Sequence, residues 1–234
     1  SILHHKKGCS VVNVGIIGCG HWGPNHIRIF SGLPNSRALM CADISSDRLK
    51  AIKGLFPQTQ TTPDYRDILK NPEIEAVCVA IPTNGHFAVT REALEHDKHV
   101  LCEKPLALKP EECQQLKELA IQKKKVLMVG HVFIFNPGIV QLKKYLQSGE
   151  LGTTHYAHSE RTNLGPFRYD VNALWDLAPH DIAIFNYLFD SCPVSVSARG
   201  QKCLGTSLED LAFATLEYPD NILVNIHVSW LDPQ

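Results

Sequence analysis

Residues 11–23 read Val-Val-Asn-Val-Gly-Ile-Ile-Gly-Cys-Gly-His-Trp-Gly, and Asp43 stands twenty positions after the last glycine. The apolar run Val11 to Ile17 has the length and composition of a buried strand. Gly18-Cys19-Gly20-His21-Trp22-Gly23 follows at once, and the residues after it favour a helix. A G-x-G-x-x-G between strand and helix lets the backbone turn tightly and approach a pyrophosphate at the helix N-terminus. Asp43 closes a second apolar run, Ala38 to Ala42, where a carboxylate binds both hydroxyls of a ribose. The stretch thus predicts a dinucleotide site made by Gly18, Gly20, His21, Trp22, Gly23 and Asp43. A carboxylate there repels a 2′-phosphate, so NAD is expected rather than NADP; Arg48, close by in sequence, is the one residue that argues the other way.

Working outward, Ala76 to Ile81, His99 to Cys102 and Val126 to Val129 read as further buried strands. Asp47 to Phe56, Asp64 to Leu69, Phe87 to His96 and Pro110 to Lys124 read as the helices between them. The last opens with proline and glutamate and closes on lysines, matching the helix dipole at both ends. Strands and helices alternating at this spacing predict a doubly wound parallel sheet ending near Gly130. After it, Pro137 to Ser148 reads as a helix, Thr153 to Arg161 as a strand, Leu174 to Phe189 as a helix and Val194 to Arg199 as a strand. Asp210 to Tyr218 and Asn221 to Trp230 flank the turn Pro219-Asp220. The predicted fold is α/β: a Rossmann domain over 9–130, then an α+β domain over 131–234 with an open, mostly antiparallel sheet. The sequence stops at Gln234 directly after a strand, leaving an unprotected edge, so the second domain is expected to be incomplete and the chain a fragment.

Of the 234 residues, 44% are hydrophobic and 20% charged, with a formal net charge of -1, which excludes a disordered polymer. With no basic excess and no long apolar run, neither nucleic acid nor membrane is expected as a partner. Ser1 to Lys7 lacks the apolar segment and cleavage site of a signal peptide. The eight cysteines include no C-x-x-C, and Cys41, Cys78 and Cys102 each sit inside an apolar strand as a small hydrophobe. A reducing, cytoplasmic location is therefore expected.

Two further groups carry chemistry. Glu103-Lys104-Pro105 closes the strand His99 to Cys102, and strand C-terminal ends line the ligand crevice of such sheets. A lysine there can hydrogen-bond a substrate hydroxyl; on the bare residues a surface ion pair is an equal reading. In Asp176-Leu177-Ala178-Pro179-His180-Asp181, Asp176 and His180 are one helical turn apart and share a face. A carboxylate directed at an imidazole fixes its tautomer and raises its basicity, as a general base needs; a solvated carboxylate beside a structural histidine is the plainer alternative. The histidines His131, His155 and His158 add no third ligand at telling spacing, so no metal is expected. No G-x-S-x-G elbow supports a serine hydrolase.

In this order, the glycine motif, Glu103-Lys104-Pro105 and Asp176-x-x-x-His180 resemble the glucose-fructose oxidoreductase / inositol dehydrogenase / MocA-like family. Pro82-Thr83-Asn84-Gly85-His86 is similar to the family's loop beneath the nicotinamide. The resemblance runs from about Val11 to the final residue. Trp22-Gly23-Pro24-Asn25-His26, Gly130-His131, Asn136-Pro137, Arg161-Thr162-Asn163-Leu164-Gly165 and Asp170 to Asp176 are similar to its WlbA/WbpB-type branch. Family members continue beyond the length of this chain, and the missing strands commonly form the subunit interface.

The resemblance implies an NAD-dependent oxidoreductase that converts a sugar secondary alcohol to a ketone. The branch implies the 3-hydroxyl of UDP-N-acetylglucosaminuronate as the position oxidised. Lys104, Asp176 and His180 become the catalytic set. Pro82, Thr83, His86, Glu103 and Lys104 join the cofactor contacts. Arg161, Asn163 and Asn172 become candidate substrate contacts, with Arg161 suited to pair a uronate carboxylate bidentately. A dehydrogenase of a free sugar or inositol and a non-catalytic NAD/sugar-binding sensor are the competing readings; a sensor has no need of Lys104, Asp176 and His180 together. The expected assembly is a homo-oligomer, dimer or tetramer, through the C-terminal sheet.

Overall fold

The computed structural model describes residues 11–233. Ser1 to Lys7, Cys9 and the first positions of the expected 9–130 domain lie outside the described residues, as does Gln234. The chain divides into two compact units, one ending at Gly130 and the other beginning at His131.

In the first unit, β1 (Val12–Ile17), β2 (Ser36–Ala42), β3 (Gln60–Thr62), β4 (Ala76–Val79), β5 (His99–Cys102) and β6 (Leu127–Val129) alternate with α1 (Gly23–Gly32), α2 (Ser46–Leu55), α3 (Tyr65–Lys70), α4 (His86–Glu95) and α5 (Pro110–Lys123). All ladders are parallel, in the order β3-β2-β1-β4-β5-β6. The order reverses at β1, so the crevice outside the C-terminal ends of β1 and β4 is the topological switch point. Both faces are covered, which is why the strands read as continuous apolar runs. Ile17, Val77, Val79 and Val100 pack with Leu94 and Leu116 on one face; Val14, Ile16, Cys41 and Cys78 pack with Ile27 and Ile52 on the other. Two of the helices start on side-chain caps: Ser45 accepts from Arg48 N at α2 and Asp64 from Arg66 N at α3.

Strand β3 has no counterpart among the apolar runs of the sequence. Its Gln-Thr-Thr is a strand because it pairs with Met40, Cys41 and Ala42, a tertiary cause invisible to local periodicity. Strand β4 ends at Val79 rather than Ile81, because the chain turns there into the loop over the crevice.

The second unit opens with a 3₁₀ turn (Val132–Phe135) and contains α6 (Pro137–Ser148), β7 (Tyr156–Thr162), α7 (Ala173–Phe189), β8 (Ser195–Gln201), β9 (Leu211–Tyr218) and β10 (Ile222–Ser229). Its sheet runs β7-β10-β9-β8; β8-β9 and β9-β10 are antiparallel and β7-β10 is parallel. Strand β7 begins at Tyr156, three residues later than expected, where pairing with Leu223 of β10 begins. Strands β9 and β10 alternate. Ala212, Ala214, Leu216, Val224, Ile226 and Val228 face inward onto Ala178, Phe185 and Leu188 of α7, whereas Phe213 is exposed. The β9-β10 turn places Asp220 and Asn221 at positive φ, 60° and 58°, which short polar side chains tolerate best. Lys143 of α6 is buried and directs its ammonium at the Tyr187 and Leu188 carbonyls, satisfying the open C-terminal end of α7.

Candidate functional site

The glycine turn has the geometry a dinucleotide requires. Gly18 has φ +98°, and a Cβ built on it would stand 2.5 Å from the Ala80 carbonyl oxygen. A Cβ on Gly23 would stand 2.2 Å from the Gly18 carbonyl oxygen, so the first turn of α1 can close only on glycine. Gly20 differs: the nearest atom to its added Cβ is Arg48 Nη1 at 3.9 Å. The open space thus lies where a pyrophosphate would approach, while the flanking glycines serve the turn. Helix α1 begins with no capping side chain and no acid in its first turn, leaving its N-terminal amides for an anion.

Beside the turn lies a cleft of about 520 Å³, lined by Gly18, Gly20, His21, Trp22, Asp43 and Pro82 of the expected set. Ile44, Arg48, Tyr65, Ile81 and Asn84 also line it. Asp43, 8% exposed, accepts from Cys19 N–H through Oδ2 at 2.7 Å and from Ser45 N–H through Oδ1 at 2.8 Å. Arg48 Nη1 stands 3.5 Å from Oδ2. The carboxylate is therefore fixed by backbone donors at the end of β2 and keeps acceptor capacity for ribose hydroxyls. Tyr65 donates its hydroxyl to Glu92 at 2.5 Å; burial, reinforced by that carboxylate, pushes its phenol up to about 12. Cys19 is buried, and its hydrogen bond with Cys41 together with burial holds its thiol far above the ordinary range, so it supplies no thiolate to the motif. The residues fit an NAD molecule: Gly20 and the start of α1 for the pyrophosphate, Asp43 for the adenosine ribose.

The other expected cofactor residues sit differently. Thr83 and His86 are buried, 3% and 1% exposed. The His86 ring lies between the carbonyls of Pro105, 2.7 Å from Nδ1, and Ile81, 2.9 Å from Nε2. It thereby ties the loop after β4 to the loop after β5, with both ring nitrogens directed at the protein's own backbone. Glu103, expected against the cofactor, pairs through one of its oxygens with His26 of α1, Oε1 to Nε2 at 2.8 Å. Lys104 follows it, half-buried, two residues beyond the end of β5.

In the second unit, Asp176 and His180 lie one turn apart on α7, whose N-cap is Asn172. The Asn172 side chain accepts from Trp175 N–H at 2.9 Å and donates to Glu209 at 2.9 Å. The amide expected to meet a substrate thus starts the helix that carries Asp176 and His180. Asn163 likewise donates to the carbonyl of Gly165. Arg161 extends Nε and Nη2 to the two oxygens of Asp181, at 2.8 and 3.0 Å. The edge of the fork expected to meet a uronate is occupied by a buried carboxylate of α7. Arg168, not singled out from sequence, donates to Asp176 at 3.0 Å and to both oxygens of Asp170, at 2.9 and 2.6 Å. That pairing lowers the Asp170 carboxyl below its ordinary value. The Phe133 ring meets the His180 ring edge-on, with centroids 4.7 Å apart and planes at 75°.

Among the described residues no group of three or more His, Cys, Asp or Glu could hold a metal ion. No helix among them is long and apolar enough to cross a membrane.

Comparison with known families accounts for both units. Residues 12–131 match the oxidoreductase family with an NAD-binding Rossmann fold, and residues 139–234 match the GFO/IDH/MocA C-terminal domain. The chain belongs to the GFO/IDH/MocA oxidoreductase family, and its first unit is that family's NAD-binding fold. It is 29% identical over 202 residues to the uncharacterized oxidoreductase YrbE of Bacillus subtilis, covering 84% of this chain and 59% of that protein. It is 28% identical over 228 residues to inositol 2-dehydrogenase of Salmonella typhimurium, covering 93% and 68%. It is 28% identical over 221 residues to UDP-N-acetylglucosamine 3-dehydrogenase of Acidithiobacillus ferrooxidans, covering 93% and 67%. The chain thus spans about three fifths to two thirds of the length of these relatives.

Proposed function

We propose that the protein is an NAD-dependent dehydrogenase that oxidises a secondary alcohol of a sugar to a ketone, at the 3-hydroxyl of a UDP-N-acetyl-hexosaminuronate. The observation that carries the reading is the pair Asp176 and His180 on one face of α7, in a chain whose other unit has a glycine turn and Asp43 shaped for NAD. Bound NAD supplies the hydride acceptor. His180 removes the proton of the hydroxyl as the C–H bond gives up its hydride, leaving a ketone. Asp176 orients the imidazole and balances the charge it gains. Lys104 donates a hydrogen bond to the substrate oxygen and stabilises negative charge there. Asp43 selects NAD, because a 2′-phosphate would be brought against its carboxylate.

Two relatives frame the substrate. The UDP-N-acetylglucosamine 3-dehydrogenase supports a sugar nucleotide oxidised at C3, and the inositol 2-dehydrogenase favours the second reading, a free polyol. The exposed Phe213 on the outward face of the second sheet supports assembly into a dimer or tetramer through that sheet.

The test is NAD reduction by the full-length protein, followed by the near-ultraviolet absorbance of reduced nicotinamide. The panel is UDP-N-acetylglucosaminuronate, UDP-N-acetylglucosamine, glucose and myo-inositol, and single-turnover signals are counted. Reduction with the uronate is expected. Reduction with myo-inositol alone would keep the dehydrogenase and overturn the sugar nucleotide. His180→Ala and Lys104→Ala should each lower turnover by about 10²–10⁴-fold with NAD affinity intact. Unchanged turnover in both would refute the assignment.

A further inference from the structure

We infer that Arg161 is a positioning residue for the His180 ring, acting through Phe133 and anchored by Asp181, rather than a substrate-binding arginine. The inference rests on the reading of His180 as the general base. Three elements of the second unit meet in this arrangement: β7 supplies Arg161, the 3₁₀ turn supplies Phe133, and α7 supplies His180 and Asp181.

Asp181 is the fixed point. It is 4% exposed, and a carboxylate that deep needs a charged partner with matching geometry. Arg161 provides it in the fork arrangement, Nε to Oδ2 at 2.8 Å and Nη2 to Oδ1 at 3.0 Å. Two parallel bonds to one carboxylate fix the plane of the guanidinium as well as its position. That group stands over Phe133, with Cζ 4.5 Å from the ring centroid. A cation over an aromatic face is held by the ring quadrupole, and the ring is held in turn. Phe133 then meets the imidazole of His180 at 4.7 Å and 75°, the edge-to-face contact aromatic pairs prefer. An unbroken series of contacts therefore runs from a buried carboxylate on α7, out to β7, across the turn and back to the neighbouring residue on α7.

This arrangement determines how the imidazole faces. Phe133 blocks one direction of ring rotation, and Phe133 is itself held by a cation that cannot swing away without leaving Asp181 unpaired. Asp181 follows His180 directly in the chain, so the same arginine neutralises the carboxylate adjacent in sequence to the base. Lysine would keep the charge but lose the fork and the flat face presented to the ring.

Arg161→Lys, Phe133→Leu and the double variant Arg161→Met with Asp181→Leu separate the possibilities. The double variant replaces the buried ion pair with apolar side chains and leaves no charge uncompensated, so it is expected to fold. The first measurement needs no substrate: histidine-labelled full-length protein is examined by NMR, with the His180 ring signal identified by its loss in His180→Asn. The signal is expected to move in Phe133→Leu and to move likewise in Arg161→Lys. A signal that moves in Phe133→Leu and stays in Arg161→Lys overturns the inference.

The second measurement is steady-state NAD reduction with whichever of the four panel substrates is turned over. A displacement of about 1 Å at a reacting group costs on the order of 10²-fold. Arg161→Lys, Phe133→Leu and the double variant should therefore lose up to about that factor in kcat with KM little changed, while NAD affinity stays as in the parent. A raised KM with kcat intact would make Arg161 a substrate contact and overturn the inference. Wild-type turnover in His180→Asn would defeat the proposed function instead, and the NMR comparison would still decide whether Arg161 holds the ring.

Discussion

Replacing Asp43 by asparagine changes one charge and almost no volume, and its effects can be worked from the hydrogen bonds of the carboxylate. In the parent both carboxylate oxygens accept from backbone N–H groups, Cys19 at 2.7 Å and Ser45 at 2.8 Å. An amide has one oxygen and one NH₂, so in either orientation an NH₂ is turned against a backbone donor. One hydrogen bond to a charged group is lost, about 1.5–3 kcal/mol. For a chain of this size each kcal/mol moves Tm by about 2–4 °C, so a fall of about 3–12 °C is expected. Coenzyme choice shifts as well. The ribose loses a charged acceptor, and a loss of about 1.4 kcal/mol there is a tenfold loss of NAD affinity. A 2′-phosphate no longer meets a carboxylate, and Arg48, 3.5 Å from Asp43 in the parent, is released to pair with it. The assay is calorimetric titration of parent and variant with NAD and NADP, alongside thermal denaturation. NAD affinity should fall, and the ratio of NADP to NAD affinity should rise. An unchanged ratio would refute the placing of the adenosine ribose at Asp43, and an unchanged Tm would refute the two-donor account of the carboxylate.

The remaining predictions concern one pair and one phenol. His26 and Glu103 form a mostly shielded pair, with side chains 13% and 12% exposed; a cycle of His26→Gln, Glu103→Gln and the double variant should give a coupling of about 0.5–3 kcal/mol in thermal stability, and additivity would mean that the contact does not join α1 to the loop after β5. Tyr218 is buried, donates its hydroxyl to Asn186 at 2.7 Å, and has its phenol pushed up to about 12, by burial first and by Cys192 second. Because the folded value lies above the unfolded one, near 10, this contribution is complete below the unfolded value and is lost as pH rises through the folded one. An absorbance titration of phenolate should show two late-ionising tyrosines in the parent, Tyr65 and Tyr218, and one fewer in Tyr218→Phe; an unchanged late step in Tyr218→Phe would contradict it.

What could be read from the sequence was what is encoded locally. The glycines, the strand before them and Asp43 lie within one strand-helix-strand unit, and their spacing alone defines the turn. The apolar strands were legible because both faces of the sheet are covered; β3 was not, because its three residues are a strand only through β2. Asn172 carries a local signal of its own. An asparagine immediately before a helix, whose side-chain oxygen can accept from the amide three residues on, is a helix cap, and here it accepts from Trp175 N–H. Arg161 and Asp181 stand twenty residues apart on a strand and a helix, and no local pattern joins them. Glu103 and His26 are joined in the same non-local way, through the order of strands in the sheet. Arg168 was missed because an arginine between Phe167 and Tyr169 resembles any loop cation until the fold brings Asp170 and Asp176 to it.

The left-handed pair Asp220 and Asn221 also bears on the order of assembly. Strands β9 and β10 meet across that turn, so their ladder from Tyr218–Ile222 to Leu211–Ser229 closes with a short loop and little entropic cost. Strand β10 also pairs with β7, from Leu223 against Tyr156 to Ser229 against Thr162, and that register spans the whole of α7, β8 and β9 in the chain. Local contacts form before distant ones reward the closure of long loops. The hairpin thus closes the short loop of this sheet and the β7-β10 ladder the long one, and Arg161, near the end of β7, meets Asp181 across twenty residues of chain.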